Sequence, residues 1–166
     1  MQRLEQRWDQ RATGLEPMTV ESSIEIACSP QELWDFLITP ESAVLTGTGV
    51  VKAFRVPGTP AGGVGDQHCL VYENGGQLTI HMAEVVEIDA PKRVVVRWPT
   101  MPMSMLVISN LTPTATGTKY TSRIRLQVAN GTRKKVEPDL QKAIADSNAR
   151  LQACVEAGTR FSAPGE

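Results

Sequence analysis

Few side chains in this sequence are able to do acid–base chemistry. It has two histidines, His68 and His81, two tyrosines and three cysteines. His68, Leu70 and Tyr72 follow one another at period two and so share one face of a strand. His68 and Tyr72 are therefore candidate catalytic acid–base groups on that face. Glu84 is the third candidate. After Met82 the alternation breaks in the run Ala83-Glu84-Val85-Val86-Glu87-Ile88, and strict period two points Glu84 the same way as Val86 and Ile88. Either a β-bulge resets the phase or one carboxylate is buried. A buried, unpaired carboxylate is a candidate acid or base at neutral pH.

Other chemistries find little support. Cys28, Cys69 and Cys154 are far apart, form no CxxC, and read as reduced thiols. No serine sits on a strand-to-helix elbow, so no Ser-His-Asp triad can be built. A metal site needs three or four ligands at fixed geometry. The two histidines are expected on opposite faces of a hairpin, so no metal and no cofactor is expected. The stretch 57–65 holds four glycines and two prolines. It lacks the GK[ST] ending of a phosphate loop and no helix follows, so it reads as a mobile loop between strands, at a rim. The net charge of −1 gives no basic excess for nucleic acid. No apolar run approaches the ~20 residues that span a bilayer, and no secretory h-region is visible. A cytoplasmic protein without integral membrane association, monomer or homodimer, is the expectation.

The elements that must position these residues are legible. Residues 1–17 are charged and Gln-rich, with Leu4 and Trp8 four apart in a possible short helix. We divide the chain into this extension, one domain over 18–160, and a tail over 161–166. A strand over 19–27 leads into Ser29-Pro30-Gln31-Glu32, a capping box with proline at the first helical position. Thr39-Pro40-Glu41-Ser42 repeats the start signal for a second short helix. Six strands follow, over 50–56, 67–73, 77–88, 93–98, 104–111 and 118–128. In the last, Ser122, Ile124, Leu126 and Val128 face inward, and Thr121, Arg123, Arg125 and Gln127 face solvent. The chain closes with a helix over 136–157 whose apolar side runs through Val136, Leu140, Ile144, Leu151 and Val155.

The hairpin around Asn74-Gly75-Gly76 admits two registers. A two-residue Asn74-Gly75 turn pairs His68 with His81 and Leu70 with Thr79. A three-residue loop pairs His68 with Met82, Leu70 with Ile80 and Tyr72 with Leu78. The second puts every large apolar side chain on one face, so it is the expected register. It sends Thr79 and His81 outward.

The element order, with three local phrases, resembles the helix-grip fold of the START-like (SRPBCC) superfamily, which includes the major birch pollen allergen. SIEIACSPQELWDFL at 23–37 is similar to the family's first strand and capped helix. EVVEIDAPKRV at 84–94 is similar to its "EV-x-E-x-D-P-P-x-R-L" turn, with Ala90 replacing a proline. GTKYT at 117–121 is similar to its "G-T-x-x-T". The resemblance covers about residues 19–158, and within the superfamily the chain looks most like bacterial polyketide cyclase/dehydrase-type proteins. It implies an α+β fold: a seven-stranded antiparallel sheet, two short helices after strand one, and a long C-terminal helix over the sheet. It also implies a pocket between sheet and helix. On that pocket we place Leu70, Tyr72, Leu78, Ile80, Met82, Ser122, Ile124 and Leu126 from strands, and Leu140, Ile144, Ser147, Asn148 and Leu151 from the helix. The lining is mostly apolar, which suits a lipid-, polyketide- or aromatic-like ligand. The alternative is a polyketide cyclase or dehydratase using His68, Tyr72 or Glu84 in the same space. Convergence of those three side chains on one point is the condition that reading must meet.

Overall fold

The computed structural model of the chain describes residues 14–99 and 104–159. Its strands are β1 (Leu15–Ile26), β2 (Val50–Arg55), β3 (Gln67–Asn74), β4 (Gln77–Asp89), β5 (Arg93–Trp98), β6 (Met105–Pro113) and β7 (Thr118–Ala129). They form one antiparallel sheet in the order β1-β7-β6-β5-β4-β3-β2. Helix α1 (Pro30–Leu37), a 3-10 turn (Pro40–Ser42) and helix α2 (Ala43–Thr46) lie between β1 and β2 in sequence, and helix α3 (Arg133–Glu156) follows β7. This is the helix-grip arrangement.

β1 starts ahead of the expected domain boundary at Met18, with Leu15, Glu16 and Pro17 opposite Ala129, Val128 and Gln127 of β7. The short helix expected around Leu4 and Trp8, the connection through Met101 and Met103, and the tail over 161–166 lie outside the described residues.

The capping box forms as read. The Ser29 hydroxyl accepts from the Glu32 N–H, and the Glu32 carboxylate accepts from the Ser29 N–H at 2.9 Å. This fixes the start of α1, which then buries Leu33, Trp34 and Phe36 against Ile26, Val85, Val94, Leu111, Tyr120 and Leu151. Full burial of side chains this size stabilises by roughly 1.5–3 kcal/mol each, so this end of the molecule holds the main core. The bulge in β4 is also present. Val85 lies opposite Val96 and Glu87 opposite Val95, leaving Val86 as the extra residue. It turns Val85 and Ile88 to the same, inward side.

α3 lies along β1, which among the described residues has no strand on its other side. Three amide side chains on the helix donate to β1 carbonyls: Gln141 to Glu21 (2.7 Å), Asn148 to Ser22 (3.3 Å) and Gln152 to Glu25 (3.0 Å). At its N-terminus, Arg133 pairs with Glu137 one turn on, which offsets the unfavourable dipole.

The two ends of the sheet's first pairing are brought together at Gly117, just before β7. A Cβ there would stand 2.2 Å from the Ile26 carbonyl oxygen. Gly117→Ala should therefore force β1 and β7 apart and cost about 1–3 kcal/mol, read as a lower urea midpoint. An unchanged midpoint would refute this close approach.

Candidate functional site

The β3–β4 hairpin decides which side chains meet the helices. Its turn is the pair Gly75-Gly76, both at positive φ (58° and 81°), the conformation a two-residue type I′ turn demands and glycine supplies. Asn74 pairs with Gln77, so Tyr72 lies opposite Thr79, Leu70 opposite His81 and His68 opposite Ala83. The expected register is thus displaced by one residue, and β4 is turned over. Leu78 and Ile80 stand on the outer face, 66% and 65% exposed, and Met82 shares that face opposite Cys69. These three do not line the inner face. Thr79 and His81 do, so both histidines point to the helix side. Nothing in the apolar pattern gives this register away. The signal was the glycine pair itself.

The inner face has two unlike halves. Toward α1 it is filled, as described above. Toward the β3–β4 hairpin it is not. Tyr72, His81, Val96 and Trp98 are only partly buried, as are Met105, Val107 and Ile124, and Thr79 is exposed. The Tyr72 and His81 rings meet edge to face at 5.1 Å, and Thr79 Oγ1 stands 3.3 Å from His81 Nε2. Among the described residues, His81 Nδ1 and Trp98 Nε1 are buried and have no hydrogen-bond partner.

The remaining expected lining residues divide between these halves. Leu70 packs with Val50, Ala53 and Ala83. Leu126 is buried with Met18 and Val128, with Ile124 and Leu140 packed against them. Ser122 is buried beside Tyr120, whose hydroxyl lies 3.0 Å from Ser109 Oγ. Ile144 and Leu151 are fully buried on α3, Leu151 in the α1-side core. The Ser147 hydroxyl donates to the Thr46 carbonyl at 3.3 Å, beside Arg150, which donates to the same carbonyl at 2.9 Å. Asn148 is taken up by β1.

The three catalytic candidates do not converge. Glu84 is on the outer face, paired with Arg97 at 2.5 Å. His68 and Tyr72 share the inner face but sit four residues apart on β3, roughly 13 Å along a strand. Among the described residues the buried carboxylate is a different one. Asp66, 1% exposed, accepts from Arg55 Nε at 2.9 and 3.2 Å and from the Gly62 N–H at 2.7 Å. Asp66 thereby pins the glycine-rich loop to β2, and Gly65 N–H adds a bond to the Val85 carbonyl. That loop is a structured connection. His68 Nε2 lies 3.2 Å from Asp66 Oδ1 but lacks hydrogen-bond alignment, so the contact is proximity to an imidazole that burial holds neutral.

The family model described as polyketide cyclase / dehydrase and lipid transport matches residues 17–156. The chain belongs to this family. No curated protein sequence matches it. Solved structures similar to it include protein NE0264 from Nitrosomonas europaea, with 18% identity, TM-score 0.68, and 86% of this chain and 96% of that one covered. Ara h 8.0201 has 13% identity, TM-score 0.68, and coverage of 86% and 99%. The di-domain ARO/CYC StfQ from the steffimycin biosynthetic pathway has 13% identity and TM-score 0.70; 95% of this chain matches 54% of that one. At these identities the structures show a shared fold.

A cleft of about 430 Å³ lies between α1 and the C-terminal end of α3, lined by Cys28, Glu32, Asp35, Phe36, Val155 and Glu156 among others. Its acids are engaged in holding the fold: Glu32 by Ser29, Asp35 by Gln31, and Glu156 by the Ala27 N–H and Gln152. Burial and then the neighbouring Glu32 and Glu156 raise the Cys28 pKa, so its thiol is not a ready nucleophile. Among the described residues no group of three His, Cys, Asp or Glu side chains is placed to hold a metal ion, and no helix is long and apolar enough to cross a membrane.

The Asp66 cluster carries a pH prediction. Burial alone raises the Asp66 pKa, but hydrogen bonds from Arg55 and Gly62 outweigh it and hold the carboxyl below its usual range. Burial pushes His68 below the usual histidine value, against the pull of Asp66. Both groups take up protons less readily folded than unfolded. Their contributions are full above pH 6.5, and acidification removes the His68 part first and the Asp66 part below pH 3.8. Asp66→Asn should cost about 2–3 kcal/mol at pH 7, since Arg55 is left half-paired yet a third open to solvent, and should flatten the pH dependence below about pH 4. Urea midpoints at pH 7 and pH 3.5 check both; a neutral effect at pH 7 would show that Asp66 does not anchor the loop.

Proposed function

We propose that this chain binds a hydrophobic small molecule, lipid-, polyketide- or aromatic-like, against the inner face of the sheet toward the β3–β4 hairpin. One observation supports this most. Val96, Trp98, Met105, Val107 and Ile124 face the helix side yet stay partly exposed, while Val85, Val94, Leu111 and Tyr120 near α1 are buried. An inward apolar surface left partly open is where an apolar ligand gains most from burial. The family's description, which includes lipid transport, agrees with this reading.

Cyclisation or dehydration of a polyketide is the second reading. It is supported by the edge-on Tyr72–His81 pair, the acid–base groups nearest the open half. It no longer has Glu84, and His68 lies at the filled end beside Asp66.

The neutral dye N-phenyl-1-naphthylamine tests the site. The wild type should enhance its fluorescence with micromolar affinity. Ile124→Trp should weaken binding at least tenfold by occupying the space, with thermal stability little changed. Ile80→Lys, on the outer face, should leave binding intact. The reading is overturned if no dye binds, or if Ile80→Lys abolishes binding and Ile124→Trp does not.

A further inference from the structure

We infer that two copies of this chain pair through the free edge of the β3–β4 hairpin, β4 of one copy against β4 of the other. This surface is separate from the inner face and does not depend on the ligand reading above.

β4 outruns its neighbour. Glu84 lies opposite Arg97, and β5 ends one residue later at Trp98. The stretch Gln77–His81 therefore extends past β5, and among the described residues it is paired with β3 alone. Asn74 and Gln77 flank the two-residue turn and exchange hydrogen bonds across it. The alternation of an antiparallel ladder then points the N–H and C=O groups of Leu78 and Ile80 away from β3. The side chains of these two residues are 66% and 65% exposed.

The other edges of the sheet are protected. α3 runs along β1, and β2 carries Lys52 and a register shift at Val51. Gln77–His81 has no lysine, arginine, acid, proline or bulge. An unprotected edge beside two exposed aliphatic side chains is a template for another strand.

The stretch is complementary to itself. Paired antiparallel about a two-fold axis at Thr79, Leu78 of each copy faces Ile80 of the other, Thr79 faces Thr79, and Gln77 faces His81. The Leu78–Ile80 pairs fall where the backbone groups point outward, so they exchange N–H···O bonds in both directions. No charge meets a like charge. Across the outer face, Lys52, Val71 and Ile80 of one copy form a row that continues through Leu78 and Glu73 of the other. The row is apolar at its centre and charged at both rims, as interfaces are. A strand of another protein would have to supply the same pattern; a second copy already has it. A contact of this symmetry closes on itself as a dimer. An axis placed deeper along β4 would drive the partner's turn into the end of β5. Strands this short bury less than the roughly 1,200 Å² of a stable complex, so half-association is expected on the order of 100 μM.

Sedimentation velocity of the full chain from about 10 μM to about 1 mM spans that value. The average mass of the wild type should rise from monomer toward dimer. Ile80→Lys should stay at the monomer mass throughout, with its urea midpoint unchanged. Val51→Lys, at a position 48% exposed on β2, should associate like the wild type. Oxidised Thr79→Cys should form a disulfide-linked dimer, because facing residues of a pair that is not hydrogen-bonded bring their Cα atoms to about 4.5 Å. Glu73→Cys, one strand away, should not, and the wild type with its Cys28, Cys69 and Cys154 gives the background. A wild type that stays monomeric at every concentration would overturn the inference. So would association that survives Ile80→Lys, or Thr79→Cys that associates without cross-linking.

Discussion

A strand at the edge of a sheet has a row of carbonyls that no neighbouring strand can satisfy. In this chain β1 is such a strand, and α3 supplies the missing donors. Gln141, Asn148 and Gln152 are spaced seven and four residues apart, so they emerge on one side of the helix and reach Glu21, Ser22 and Glu25. Each such bond contributes on the order of 1 kcal/mol, and a stranded buried acceptor costs more. The result is positional as much as energetic. The helix is tied to the first strand rather than centred over the sheet, and the inner surface of β3 to β6 is covered unevenly.

What covers the rest follows from the short helices. α1 enters at a fixed angle because its capping box holds Ser29 and Glu32 together, and its three buried side chains close the core at that end. α2 brings Ala43 over Val50, Ala53, Leu70 and Ala83. Asp66 ties the loop after β2 into the same end through Arg55 and Gly62. Tyr72 and Trp98 pack at the margin of that same Ala43 cluster, and His81 stands edge-on to Tyr72.

The hairpin shows how two local rules can disagree. Alternation asks that Leu78, Ile80 and Met82 go inward. A two-glycine type I′ turn fixes the pairing on its own geometry, and it sends all three outward. Turn geometry prevails because both turn residues must take positive φ, and Gly75-Gly76 is the pair that does so without strain. One residue of slip is enough to exchange the faces of a whole strand. Two large apolar side chains are left exposed in consequence, while a histidine enters the inner face.

The amino-acid sequence by itself determined the strand and helix order, the capped start of α1, the inward face of β7 and the membership of the fold, and it left β4 a choice between a bulge and a buried Glu84. Each depends on signals within a few residues: periodicity, caps, or a broken alternation. Only the tertiary structure decided that Asp66 is the buried carboxylate among the described residues, that Glu84 is an outer-face partner of Arg97, that Ser147 and Asn148 donate to the Thr46 and Ser22 carbonyls, and that His81 meets the Tyr72 ring. These depend on which residues far apart in the chain become neighbours across strands. That is set by pairing register and by where the helix is tied, and neither is encoded in the local pattern of any one segment.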